Sequence, residues 1–284
     1  VFSSNKSKKT YPLNFANKTI MIKSLFSLNF TEPFVFISLC FLIFLIVTSR
    51  YFLLSGFFHV YFYIWKRKEW ENRKINKKAY PTKQFQTEVY WSTLTAAIFS
   101  VIGALAAIAW QKGYTAIYLN INDYPIWWFP ISILLSMFIH ETYYYWLHRL
   151  MHHPKVYKYV HQIHHDSKIT SAWTAFSFHP IEGLLEALIM PVIVMIVPMH
   201  IYAVLTHLTI MTLTAAINHL DIEIYPRNIF GNLLGKHVIG ATHHSHHHKF
   251  YRYNFGLYFT FWDKWGKTES PNFERDFNLR GEKE

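Results

Sequence analysis

The chain has 284 residues, 51% hydrophobic and 19% aromatic, with a formal charge of +11. Its lysines and arginines flank long apolar runs, which is the pattern of membrane-adjacent loops and argues against nucleic acid as a partner. The single cysteine, Cys40, excludes an intrachain disulfide, a cysteine-based zinc finger and an iron–sulfur cluster, so any metal falls to imidazole and carboxylate, which suit iron, zinc or copper.

In chain order, residues 1–32 form a basic tail with no acid before Glu32. Met21 opens a plausible start, Met-Ile-Lys-Ser-Leu-Phe, and residues 1–20 read as upstream sequence, a tail or a true N-terminus. No small-residue cleavage site follows the apolar run, so a retained anchor is expected, not a cleaved signal. Residues 33–65 are almost wholly apolar, long for one crossing of about 20 residues and short for two. One tilted helix and a tight hairpin are both open. Residues 66–88 carry eight basic side chains and are expected in the cytoplasm. Val89–Trp110 reads as a span, 111–124 as the opposite loop, and 126–147 as a returning span that leads into His148. Residues 183–217, broken by Pro191 and Pro198, read as a hairpin, and 219–284 as a polar tail. The prediction is an all-α integral membrane helical bundle of about four spans, one a hairpin, under a cytoplasmic histidine-rich cap. Residues 33–284 form one membrane-embedded domain.

The chemistry-bearing residues are concentrated in three stretches. Seventeen of the 18 histidines lie between 140 and 248. His148 and His152 stand at i and i+4. His161, His164 and His165 stand at i, i+3 and i+4, and so do His244, His247 and His248. On helices these offsets share a face. Eight imidazoles exceed the four ligands of one tetrahedral ion and point to a dinuclear site. A lone histidine is more often a packed or surface residue, and His59, His153, His200, His207, His237 and His246 are read that way. His140-Glu141 fails as a zinc-protease motif because residue 144 is Tyr. Gly266-Lys267-Thr268 fails as a phosphate loop because residue 261 is Phe. No glycine-rich dinucleotide fingerprint is present, so electrons would come from a partner.

Taken together, His148-x3-His152, His161-x2-His164-His165 and His244-x2-His247-His248 resemble the fatty acid hydroxylase/sterol desaturase superfamily. So do Glu141-Thr-Tyr-Tyr-Tyr-Trp-Leu-His148-Arg149, with Glu where Asp is usual, Phe178-His179-Pro180-Ile181-Glu182, and Asn254-Phe-Gly256 followed by Trp262-Asp263. The usual Phe-Gly-Thr ending is altered to Trp265-Gly266-Lys267-Thr268. The resemblance covers about residues 90–268. It implies a non-haem centre of two iron ions that activates O2 against an unactivated C–H bond of a lipid, by hydroxylation or desaturation. It also implies an external electron donor, cytochrome b5-like or ferredoxin-like. The ligand role carries over to His148, His152, His161, His164, His165, His244, His247 and His248. His219, which follows the last apolar arm, joins them, and His179 and His243 form a second tier. Glu141, Asp166, Glu182 and Asp221 are candidate acceptors for the far ring nitrogens of the ligands. Arg149 is expected to pair with one of these acids or with lipid phosphate. Trp173, Phe176 and Phe178 are placed at a substrate mouth or in packing at the membrane interface. The expected setting is a bacterial inner membrane or the endoplasmic reticulum, with the site on the cytoplasmic side. The rival readings are a histidine-rich membrane protein that binds or moves a metal, and a metallohydrolase on the same scaffold. A sterol, a fatty acyl chain, an ether lipid and a carotenoid all fit an apolar cleft.

Overall fold

Pro33 opens the first helix at a position where its missing N–H costs nothing. Helix α1, Pro33–Phe58, continues without a break through a π-helical turn, His59–Trp65, so the first apolar run is one long rod and not a hairpin. The computed structural model describes residues 28–226 and 229–279. Most of the basic tail, residues 1–27, and the last five residues lie outside them.

Helix α1 is apolar on every side. Its large residues face outward, Phe34 82% and Leu53 73% exposed, whereas Tyr51 and Ser55 are buried. Water would not tolerate that arrangement, and a bilayer favours it. The same inversion shapes α2, Thr82–Gln111, which buries Ser92, Thr95, Ala96, Ser100 and Ala104. Small side chains on the inner face let α1 and the later helices approach closely. Among the described residues, three helical segments are long and apolar enough to cross a membrane: 33–65, 82–111 and the later 201–218.

The expected span at 126–147 is helix α3, Trp128–Met151. The expected hairpin at 183–217 is a pair of helices, α6, Pro180–Ile196, and α7, Ile201–Asn218. Between α3 and α6 lie two short helices, α4, Pro154–Val160, and α5, Gln162–His165. At one end of the bundle, Ile117–Tyr118 (β1) pairs in parallel with Met199–His200 (β2), a small departure from the all-helical expectation. Trp128 Nε1 donates to Pro198 O (2.8 Å) at that same end.

The other end carries the cap. Tyr51 Oη donates to Trp173 O and Ser55 Oγ to Ala172 O, both at 2.8 Å, which ties α1 to the segment after the second histidine stretch. The basic segment after α1 docks here as well. Ile75 N donates to Asp221 O (2.8 Å), and Lys74 bridges to Ile222. The cap is completed by α8, Ala241–Phe250, which holds the last histidines, and by short helices at Phe261–Trp265 and Phe273–Leu279.

Candidate metal centre

The final turn of α3 and its C-cap present His148 and His152. His161 joins α4 to α5, and α5 carries His164 and His165. His219 caps the end of α7, and α8 carries His244, His247 and His248. Their ring nitrogens form two groups able to hold a metal ion. His148, His152, His161, His165 and His247 make the first, and His164, His219, His244 and His248 the second, the ligand atoms within each lying inside 4.8 Å of one another. The groups abut, with the His165 and His248 rings 4.5 Å apart.

The spacing sorts differently from the one-face expectation. His161 and His165 turn to the first group while His164 turns to the second, and His247 parts from His244 and His248 in the same way. Side chains at i+3 and i+4 differ by about 100° around a helix of 3.6 residues per turn, so one stretch can straddle two centres.

The Nε2 atoms converge. In the first group His152, His165 and His247 stand 3.0 to 3.1 Å apart, and His148 and His161 3.1 Å apart. In the second, His244 lies 2.8 Å from His219 and 3.1 Å from His248, and His219 lies 3.2 Å from His164. The far nitrogens explain why these contacts are not ordinary hydrogen bonds. Nδ1 of His148, His164, His219 and His247 meets the carbonyl oxygens of Phe255 (2.9 Å), Ser177 (3.3 Å), Ala215 (2.8 Å) and Tyr253 (2.8 Å). A carbonyl only accepts, so the proton of each neutral ring sits on Nδ1 and the Nε2 lone pair faces inward. Lone pairs gathered at such distances repel unless a cation lies between them. The first group offers five nitrogens and the second four, so the first exceeds the four ligands of a tetrahedral ion.

Electrostatics agree with a ligand role. Burial, then the neighbouring imidazoles, hold His161, His165, His244 and His248 well below the usual histidine range, and His164 and His247 follow, despite carbonyl contacts that pull the other way. Burial lowers His219 to about 4. Burial and then His148 lower His152 to about 2. Neutral rings are the form that binds metal.

The remaining expected residues do other work. His179 is the N-cap of α6 and accepts from Ile181 N (3.2 Å), outside both groups. His243 points off the opposite side of α8 and stacks on Phe273 at 3.6 Å. Among the acids, Glu182 Oε1 takes His161 Nδ1–H at 2.7 Å. Glu141 instead accepts from the backbone N–H groups of Leu257 and Tyr258 (2.6 Å to Tyr258), pinning the loop that follows α8. Asp166 is exposed at the C-cap of α5, and Asp221 binds Asn76 Nδ2 (2.6 Å). Arg149 donates to Tyr145 Oη (3.3 Å) and lies over the Trp146 ring, not on an acid. His153 and His200 are N-caps, like His179.

Two acids that sequence reasoning missed hold the late histidine helix in place. Glu223 accepts from Thr242 N (3.0 Å) in the first turn of α8. Asp263 accepts from Phe255 N (2.8 Å), Gly256 N (2.9 Å) and Thr268 Oγ1 (2.7 Å). Only Asp263 left a visible signal, in the Trp262-Asp263 pair. Gly256 is required there, since a Cβ would stand 2.6 Å from Phe259 O. Tyr251 ends α8 in the left-handed region (φ 66°), uncommon for a bulky residue, and its ring stacks on His165 at 4.7 Å.

Beneath the second group opens a cavity of about 490 Å³, lined mainly by aliphatic and aromatic side chains. It runs from His219 and His244 through the bundle to Trp110 and Leu119 at the far end. Phe176 and Phe178 line it, while Trp173 packs with Tyr51 and Phe85.

Comparison with known proteins gives the same neighbourhood. The fatty acid hydroxylase family model matches residues 133–268. The chain is 32% identical over 196 residues to a Delta(7)-sterol 5(6)-desaturase of Gibberella zeae, covering 68% of this chain and 58% of that protein. It is 32% identical over 158 residues to the lathosterol oxidase of Mus musculus, 55% of this chain and 51% of the mouse protein. It is 30% identical over 240 residues to a Delta(7)-sterol 5(6)-desaturase of Aspergillus fumigatus, 79% of this chain and 73% of that protein. The matched region thus spans little more than half the length of the first two relatives. No solved structure matches the chain.

Proposed function

The chain belongs to the fatty acid hydroxylase/sterol desaturase superfamily, and from that premise we propose that it is a membrane-bound, O2-dependent oxidase of a lipid C–H bond. The observation that carries the reading is the meeting of two imidazole groups with the head of a long apolar cavity, His219 and His244 belonging to both. The nine clustered histidines would hold two iron ions, whose chemistry when bound is the reductive activation of O2. Five nitrogens in one group favour iron over tetrahedral zinc.

The protein's own groups do the rest. Carbonyls of Phe255, Ser177, Ala215 and Tyr253, and the Glu182 carboxylate, keep the inward nitrogens free of protons. The cavity walls exclude water and present a buried length of lipid to the groups. Electron balance requires a partner. Desaturation takes two electrons from the lipid and two from outside to reduce O2 to two waters; hydroxylation inserts one oxygen atom and reduces the other to water with the same two external electrons. An external donor of the cytochrome b5-like or ferredoxin-like kind meets that need. The names of the relatives favour a sterol with a Δ7 double bond. The setting we propose is the endoplasmic reticulum or a bacterial inner membrane, with the metal groups on the cytoplasmic face.

The test is to supply lathosterol, O2 and a reducing system to the purified protein and follow lipid products by mass spectrometry. New unsaturation or an oxygen atom from 18O2 supports the oxidase. An oxygen drawn from labelled water favours the hydrolase rival. Metal movement across sealed vesicles without lipid oxidation favours the transport rival.

A further inference from the structure

The two imidazole groups differ in what lies beyond them. The second is wholly buried and borders the lipid cavity. The first looks the other way. Its His152 is half-buried, and its His165 is covered by the Tyr251 ring, stacked at 4.7 Å and 29°. Tyr251 is 39% exposed, so a single aromatic ring separates solvent from a clustered histidine. Tyr157 adjoins it, 5.8 Å from Tyr251, 5.8 Å from His165 and 5.6 Å from His152. The backbone holds Tyr251 in the left-handed region (φ 66°), strain of a kind that clusters at functional sites. The stretches that carry the two tyrosines are basic. Residues 152–168 and 249–253 expose Lys155, Lys158, Lys168, Lys249 and Arg252 against one acid, Asp166.

We propose that this face docks an acidic one-electron carrier protein and that Tyr251 is the contact through which its electrons reach the first group, a proposal that rests on the oxidase reading above. Charge selects the partner. A positive patch steers and orients a negative one, and a carrier that must bind, deliver and leave needs only a small contact. Position selects the task. Electron transfer falls steeply with distance, and Tyr251 is the exposed ring that lies directly on a first-group histidine. An anionic membrane surface would also meet the lysines, but it has no use for that ring. One electron passes per encounter: the carrier is oxidised by one and the metal site reduced by one. Two encounters supply the two external electrons that each O2 requires. No bond forms or breaks at Tyr251, whose ring is the medium between the carrier and His165. Electrons then enter at the first group and the lipid at the second.

Binding of soluble cytochrome b5 and of a plant-type ferredoxin to the purified full chain tests the docking face, whether or not metal is bound. At least one carrier is expected to bind at low ionic strength and to weaken as salt rises. The triple variant Lys155→Glu, Lys158→Glu, Arg252→Glu is expected to lose about tenfold or more in affinity at low salt, and to lose the salt dependence. Tyr251→Gly suits the left-handed backbone, so it removes the ring without straining the chain. It is expected to bind the carrier as before, while carrier-driven reduction of the iron-loaded protein is largely lost. Dithionite, which needs no docking face, still reduces it, and Tyr251→Phe, which keeps the ring, behaves as wild type. If the triple variant fails to fold, the wild-type salt dependence and Tyr251→Gly decide. Binding of neither carrier, binding that ignores salt or survives the triple reversal, or full carrier-driven reduction of Tyr251→Gly overturns the proposal. So does a triple variant that loses only a preference for phosphatidylserine over phosphatidylcholine nanodiscs, which makes the face a lipid-headgroup surface. Salt-dependent docking with no lipid oxidised leaves the docking face standing while the oxidase reading falls. Dithionite-driven lipid oxidation with no carrier bound does the opposite.

Discussion

His219 Nε2 lies 2.8 Å from His244 Nε2, while His219 Nδ1 is committed to the carbonyl of Ala215. The His219 proton is therefore on the far side of the ring, and a lone pair is held against a neighbouring imidazole nitrogen. His164 completes this geometry, 3.2 Å from His219. His164→Ala is expected to lose most of the metal and all activity. His59→Ala keeps both, since His59 stacks on Tyr63 at 5.5 Å and belongs to neither group. Metal content and lipid product in matched amounts of membrane-inserted protein make the comparison. Full activity in His164→Ala would remove the second group from the site.

Among the described residues, Glu182 is the one carboxylate seen on a clustered ring. Replacing it by Ala strands His161 Nδ1 in a buried site and frees the ring to rotate. Metal affinity is expected to drop about 10- to 100-fold, with a smaller drop in Glu182→Gln, whose amide oxygen still accepts from Nδ1–H. Competition with a chelator measures both. Equal affinity in all three proteins would mean that the contact does not orient the ligand.

The lowered histidine pKa values carry a signed prediction. An unfolded imidazole titrates near 6.5, whereas His219 folds to about 4 and His152 to about 2. Below 6.5 the unfolded state therefore binds more protons, and each such ring removes up to about 1.4 kcal/mol of stability per pH unit until its folded value is reached. The metal-free protein is expected to melt at steadily lower temperature from pH 6.5 to 5. The folded protein, its rings still neutral, keeps bound metal over the same interval. Metal loss between pH 7 and 6 with the fold intact would contradict the buried, neutral ligand set.

Much of this site was legible because imidazole spacing is a local signal. All nine histidines singled out as ligands fall within the two groups. What the spacing did not reveal is the partition, since His164 and His165 are chain neighbours assigned to different groups. His179, in the second tier, lies outside both groups and caps a helix start, with Pro180 in the first helical turn. Glu223 was invisible as a support because its partner, the backbone N–H of Thr242, lies 19 residues further along the chain, and Asp263 showed only as part of the Trp262-Asp263 pair. The length of the apolar run at 33–65 left one span and a hairpin both open, and the continuous helix answers that question.

Orientation is open to direct test. The basic segment after α1 packs against residues 221–225, at the end of the bundle that holds the metal groups, and the positive-inside rule puts such a segment in the cytoplasm. On a Cys40→Ser background, a cysteine at Asn120 is expected to react with an impermeant reagent in intact cells or sealed vesicles of native orientation. One at Lys267 reacts only after permeabilisation. The reverse pattern would invert the topology.

The central claim is that two adjacent imidazole groups hold two iron ions. Metal analysis of the full chain, purified after iron-replete expression, tests it most directly. About two irons per chain, falling toward none when ligands of both groups are replaced, is the predicted result. Zinc in place of iron, or fewer than about one metal per chain in well-folded protein, would contradict it.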